Sequence, residues 1–398
     1  MPPITSRLFH KEASVNLEDF EKICSRTTDP ATYPNASAIH HNIPIYETTT
    51  HDPTNQPETT ALQDEWYHIL DSGPGIFILK NMYDPKKYTQ TLNATNTAYS
   101  SIIQTESSKT ETKKGDHFAT AGKNDRIWNS FSKHAFTDPE SFLQYYSNPW
   151  LKLVSESWLG PAYRVTAQVN IVKPGGAAQD AHRDYHLGFQ DLTNCAAFPR
   201  SLQRASQYLT LQGAVAHSDM PLESGPTRFL PFSQTYEPGY LAWRRPEFRG
   251  FFQERYVSIP MEFGDGVFFN PAVFHAAGEN RTETFHRKAN LLQIGCAMGR
   301  TMEAVDAVGI VEWCWAGLRR RVEDAGGVVG GEVEALVCAI GDGYAFPTNL
   351  DSRPPKPDGM APESEQEVLL RGLREGWARE RVLEELRGLV RDSKAATA

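Results

Sequence analysis

The chain is poor in what an oxidising compartment, a bilayer or a nucleic-acid partner would call for. Its 398 residues include five cysteines, Cys24, Cys195, Cys296, Cys314 and Cys338. They are scattered, odd in number and form no Cys-X-X-Cys. That speaks against a disulfide framework or a zinc finger and for reduced thiols. No apolar run is long enough to span a bilayer, and the first twenty residues lack the apolar core of a secretory signal. Positive charge is also short: 40 Lys and Arg stand against 49 Asp and Glu, a net charge of −9. Nucleic-acid binding relies on Lys/Arg-rich surface that displaces counterions, so no nucleic-acid partner is expected. The Arg319-Arg320-Arg321 run reads as the solvated end of a helix. A cytoplasmic location without membrane attachment is the expectation.

What is present suits a globular protein with a sizeable core: 40% hydrophobic and 22% charged residues. Residues 1–60 are polar and read as an N-terminal extension. Residues 61–300 read as the main domain. It begins with helices, among them "ALQDEWYHILDSG" with Gly73 as its C-cap. From Ala162 the segments "YRVTAQVNIV", "QYLTLQGAVAH", "TRFLPFS", "YVSIPM", "GVFFNPAVFHA" and "KANLLQIGCA" are short and rich in β-branched and aromatic residues. Turn formers separate many of them, as in a β-sandwich or barrel. Residues 301–398 read as a helical C-terminal extension packed on the core. One helix is expected at about Met302–Glu323 and a last one at about Ser364–Arg391, with a proline-rich loop between them.

The segment "QDAHRDYH" holds the first chemical signal. On an extended strand, residues i and i+2 point to the same side, so His182 and Asp184 can share one metal ion. The pattern recurs at His217 and Asp219, and alone it is weak. A third ligand from another strand would complete two histidines and a carboxylate with open positions, the non-haem Fe(II) arrangement. His275, embedded in the apolar strand "GVFFNPAVFHA", fits. Arg287 opens the next strand. A hairpin through "GENRTET" would carry it back toward His275, where a buried guanidinium suits an anionic co-substrate.

Three segments together resemble the phytanoyl-CoA dioxygenase family of Fe(II)/2-oxoglutarate-dependent oxygenases. They are "QDAHRD", "ESGPTRFLPFSQ" and "GDGVFFNPAVFHAAGENRTETFHRKAN". The resemblance runs from about Gly73 to Gly295 and is tightest in the third. It implies a double-stranded β-helix, a cupin-like jelly roll flanked by helices, so an α+β chain with a mostly β core. It implies that His182, Asp184 and His275 bind Fe(II) and that Arg287 binds the distal carboxylate of 2-oxoglutarate. It also assigns His217 and Asp219 to a later strand and turn, not to the metal. The chain departs from the family at Pro231-Phe232-Ser233-Gln234, where "PGSH" is frequent.

Further candidates have weaker signals. Asn170 and Gln168 share one face of "TAQVNIV". They either bond a co-substrate carboxylate or face outward, and the apolar neighbours of Asn170 favour it as the cofactor contact. Gln179, three residues before His182, is a second candidate. His186, two residues after Asp184, should face the same way and touch substrate or a bound water. His117, Arg126 and Trp128 form a polar-aromatic group that is read as a substrate contact or as a structural loop. Arg281 is a turn residue and the rival of Arg287.

The expected function is oxidation of a small organic substrate by dioxygen and 2-oxoglutarate, hydroxylation first, with release of succinate and CO2. The same machinery can desaturate, epimerise or cyclise instead. A non-catalytic metal- or ligand-binding β-barrel and a zinc hydrolase are the readings from other classes.

Overall fold

The structure is a computed structural model that describes residues 4–10, 14–109, 122–344 and 346–394. The chain divides into two compact units. The first comprises Met1–Lys87, Thr112–Arg126 and Val169–Leu292. The second comprises Tyr88–Glu111, Ile127–Gln168 and Gln293–Ala398.

The strands are β1 (Ala38–His40), β2 (Ile43–Glu47), β3 (Ile76–Lys80), β4 (Asn124–Ile127), β5 (Arg164–Val172) and β6 (Thr210–Ala216). They continue with β7 (Arg228–Leu230), β8 (Val257–Ser258), β9 (Gly266–Phe269), β10 (Phe274–Ala276) and β11 (Arg287–Gly295). Eight form one sheet in the order β1-β2-β3-β9-β6-β11-β5-β4, and three form a second in the order β10-β7-β8. From β5 onward the chain visits both sheets in turn. It passes from β5 to a single bridge at His182 beside β10, then to β6 in the large sheet. It goes to β7 and β8 in the small one, β9 in the large, β10 in the small and β11 in the large. This order defines a double-stranded β-helix, a jelly roll, as expected.

The expected hairpin is corrected. His275 and Arg287 lie on strands of different sheets, so the intervening segment is a crossover. Asn280 holds that crossover from within. It is fully buried, its amide donates to the carbonyls of Val172 and Phe285 at 2.9 and 2.8 Å, and its Oδ1 accepts from Thr282 N.

Side-chain alternation on the strands creates two cores in the first unit. Ile43, Ile45, Ile76, Ile78, Ala214, Ala216, Val267, Phe269 and Ala289 from the large sheet pack with Phe229 of the small sheet inside the roll. The alternate positions Leu230, Phe274 and Ala276 of the small sheet face the other way. They meet Phe20 of helix α1 (Leu17–Cys24), together with Tyr236, Tyr240, Phe248 and Phe252. β1 and β2 lie within the stretch read as an extension, and β2 joins the sheet parallel to β3.

The second unit is mostly helical. Gly317, on the helix Ala307–Asp324, lies against Leu143 so closely that an added Cβ would overlap it. Where one last helix was expected there are two, Glu365–Arg374 and Arg379–Asp392. Gly376 breaks them with φ +67, and Trp377 turns in, its carbonyl accepting from Trp315 Nε1 at 3.0 Å. Among the described residues, no helix is long and apolar enough to cross a membrane.

Candidate metal centre

The segment carrying His182 and Asp184 is extended but too short for a strand of its own. It is held beside β10 by reciprocal backbone bonds between His182 and His275, at 3.0 and 3.2 Å. A third bond runs from Asp184 N to Pro271 O, 2.9 Å. The pairing brings the two imidazole centroids to 4.4 Å. Asp184 Oδ2 lies 3.7 Å from His182 Nε2 and 3.5 Å from His275 Nε2. One ligand atom from each of the three residues falls within 4.8 Å of the others.

Backbone acceptors orient both rings. His182 Nδ1 sits 2.9 Å from the Asp180 carbonyl and His275 Nδ1 2.8 Å from that of Val273. A carbonyl can only accept, so each Nδ1 carries the proton and each Nε2 presents its lone pair to the shared space. Burial and the neighbouring His275 lower the pKa of His182. Burial pushes that of Asp184 up. The two histidines and Gln212 outweigh this and hold the carboxyl below its ordinary range. Two imidazoles and a carboxylate whose Nε2 and oxygen donors converge are what a divalent transition metal binds, so the donor set fits Fe(II). Phe269, edge-on to His275 with centroids 4.8 Å apart, and Phe229 line the same side.

Sequence reasoning missed Gln212. It lies on β6 in register with Phe269, inside the roll, and its Nε2 donates to Asp184 Oδ2 at 2.7 Å and to the Tyr185 hydroxyl at 3.1 Å. Nothing local in "LTLQGAV" signals this, because the partner is 28 residues away.

Arg287 is 6% exposed. Its Nη1 donates to the carbonyls of Ser224 and Gly278 at 2.8 and 3.2 Å, the latter three residues beyond His275. Burial alone lowers its pKa, to about 10, and no carboxylate among the described residues offsets it. A buried guanidinium that bonds only neutral carbonyls is costly unless an anion joins it.

The other candidates divide. Asn170 is 8% exposed on β5, and its Oδ1 has no partner among the described residues. The Gln179 side chain is used locally, its Oε1 accepting from Ala277 N at 3.2 Å. At His186 the strand reading is corrected. The backbone turns there with φ +47 into a 3-10 turn, so the two-residue alternation ends at Asp184. Its Nε2 nevertheless lies 3.3 Å from Thr210 Oγ1, on the side of β6 that carries Gln212. Arg126 lies on β4, at the sheet edge three strands from β6, and Trp128 follows β4 in the second unit. His117 lies outside the described residues. His217 and Asp219 do not join the cluster, which among the described residues contains His182, Asp184 and His275. Arg281 sits by a separate cavity of about 420 Å³ that Arg228, Tyr256 and Glu279 also line.

A jelly roll with a two-histidine, one-carboxylate cluster at its small sheet is the class that fold and site define. The phytanoyl-CoA dioxygenase (PhyH) family model matches residues 73–289, more than half of the chain, and the chain belongs to that family. Among curated relatives, dioxygenase trt7 of Aspergillus terreus is 27% identical over 163 residues, 41% of this chain and 46% of that protein. Dioxygenase andF of Emericella variicolor is 25% identical over 148 residues, 35% of this chain and 45% of that one. The chain therefore spans a little under half the length of these relatives. Among solved structures, the α-ketoglutarate-dependent carbocyclase SnoK of nogalamycin biosynthesis is 18% identical with a TM-score of 0.43, over 60% of this chain and 86% of that one. The epimerase SnoN, in complex with Fe3+, α-ketoglutarate and nogalamycin RO, is 17% identical with a TM-score of 0.41, over 60% and 85%.

Proposed function

We propose that the chain is an Fe(II)/2-oxoglutarate-dependent dioxygenase that hydroxylates a small organic substrate. The observation that carries this reading is the pairing of the His182–Asp184–His275 cluster with a buried arginine that lacks an anion. Membership of the phytanoyl-CoA dioxygenase family supports it. A zinc hydrolase would use three ligands equally well, but it gives Arg287 nothing to bind.

In this reading His182 Nε2, Asp184 Oδ2 and His275 Nε2 hold the metal. Iron, when bound, supplies the centre at which dioxygen oxidises both 2-oxoglutarate, to succinate and CO2, and a substrate C–H bond. The chain supplies geometry and dryness. Asp180 and Val273 carbonyls keep both Nε2 lone pairs free, and Gln212 steadies the carboxylate. Arg287 offers a charge-assisted bond to the far carboxylate of 2-oxoglutarate, and the Ser224 and Gly278 carbonyls fix its direction. Phe229 and Phe269 wall the space beside His275 and exclude water.

The test is Fe(II)-dependent release of succinate from 2-oxoglutarate with dioxygen uptake, first without substrate and then against a panel of small metabolites. Wild type is expected to turn over slowly alone and faster with its substrate, and Asp184→Ala not at all. Hydrolysis supported equally by Zn(II) and indifferent to 2-oxoglutarate would replace this reading with the hydrolase.

A further inference from the structure

Arg183 stands between two of the candidate metal ligands and points away from both. Alternation sends His182 and Asp184 toward the roll's interior and Arg183 into the core on the outer side of the small sheet. There it is 2% exposed. Its Nη2 donates to the carbonyls of Ser233 at 2.6 Å, Tyr236 at 2.9 Å and Gln234 at 3.5 Å. The guanidinium lies over the rings of Tyr240 and Phe274, 5.2 and 5.3 Å from their centroids. No carboxylate among the described residues acts on it. A buried arginine spent on neutral carbonyls is an expensive way to fill a core, so its placement calls for a reason.

The contacts supply one. Phe274 immediately precedes His275, and its backbone N–H donates to Ser233 Oγ at 2.8 Å. The Ser233–Tyr236 turn therefore holds the strand of one histidine directly and the extended segment of the other histidine and the aspartate through Arg183. Behind it, Phe20 of α1 packs on Phe274 at 4.8 Å, and the Tyr236 hydroxyl bonds both N–H and C=O of Asn16. Gly239 leaves the guanidinium its room, because an added Cβ there would overlap it.

We propose that Arg183 is a positioning residue of the metal centre, clamping the His182–Asp184 segment to the strand of His275 through the Ser233–Tyr236 turn. This rests on the reading of that cluster as a metal site. Loss of such a supporting contact is expected to weaken metal binding about 10- to 100-fold.

The test uses the full chain and Co(II), whose visible bands report ligand geometry. Wild type should bind Co(II) and Asp184→Ala should not. If wild type fails to bind, the metal-site reading itself falls, a result distinct from any behaviour of Arg183. Arg183→Met should bind about 10- to 100-fold more weakly with shifted bands, and Arg183→Lys should recover part of the affinity. Leu318→Ala, a core truncation in the second unit, should lower Tm and leave Co(II) affinity and bands unchanged. A folded Arg183→Met with wild-type affinity and bands overturns the proposal, as does an equal loss in Leu318→Ala. Should Arg183→Met not fold, Gly239→Ala displaces the guanidinium while keeping the arginine. The same weakening and band shift are expected there, and unchanged binding overturns the proposal.

Discussion

Gln212 Nε2 donates a 2.7 Å hydrogen bond to Asp184 Oδ2, the oxygen that faces both imidazoles of the cluster. One strand of the large sheet thereby fixes a candidate ligand on the segment that lies beside β10. A hydrogen bond to a charged group is worth about 1.5–3 kcal/mol. Gln212→Leu keeps the bulk and removes the donor, so metal affinity is expected to fall roughly 10- to 100-fold with the fold intact. Calorimetric titration with Mn(II) reads this directly, and an unchanged affinity would reduce the contact to packing.

Arg287→Ala separates the two ligands. Truncating one partner of a buried ion pair costs about 3–5 kcal/mol, or roughly 200- to several thousand-fold in affinity. Affinity for 2-oxoglutarate should collapse by that factor while metal affinity largely survives. Equal loss of both, or of neither, would contradict the assignment of Arg287.

Acid stability should depend on His134. It is fully buried, its Nε2 lies 2.8 Å from Ser141 Oγ, and burial lowers its pKa from 6.5 to about 3. The unfolded chain takes up a proton near pH 6.5 that the folded chain refuses. The contribution to stability is therefore complete above about pH 6.5. It declines toward pH 3 by about 1.4 kcal/mol for each pH unit. His134→Leu should show a shallower fall of Tm between pH 6.5 and 4 than wild type. Parallel Tm curves would show that this histidine does not set acid stability.

Asn280 ties the crossover between the sheets. Asn280→Ala removes two donated bonds and the anchor of Thr282, each worth about 1 kcal/mol. Tm should drop, and because the crossover leads into Arg287, affinity for 2-oxoglutarate should weaken more than that for Mn(II). Weakening of Mn(II) alone would count against this coupling.

The candidate ligands carry local but weak signals, a His-X-Asp pattern that recurs at His217 and a histidine inside an apolar strand, and the family resemblance is what chose among them. Short apolar segments between turns made a β-sandwich or barrel legible, and the family resemblance narrowed it to a jelly roll. Pairing between sheets was not legible. The distance from β10 to β11 along the chain suits a hairpin as well as a crossover, and only the sheet assignment decides. Gln212 depends on the same long-range pairing. β1 and β2 were hidden because their apolar residues, among them Ile39, Ile43, Ile45 and Tyr46, sit in a polar stretch whose composition reads as a loosely packed extension. The break at Gly376 was masked by an apolar stripe that runs on through Trp377. At His186, a left-handed turn in a non-glycine residue ends an alternation that no glycine or proline at that position marks for a stop.

His182, Asp184 and His275 are proposed to hold one metal ion beside a 2-oxoglutarate anchored by Arg287. Anaerobic absorption spectroscopy of the full chain with Fe(II) and 2-oxoglutarate measures this directly. A weak visible charge-transfer band is expected in wild type, absent in Asp184→Ala, and in Arg287→Ala restored only at far higher 2-oxoglutarate. No band in wild type, or a band that survives Asp184→Ala unchanged, would contradict the account.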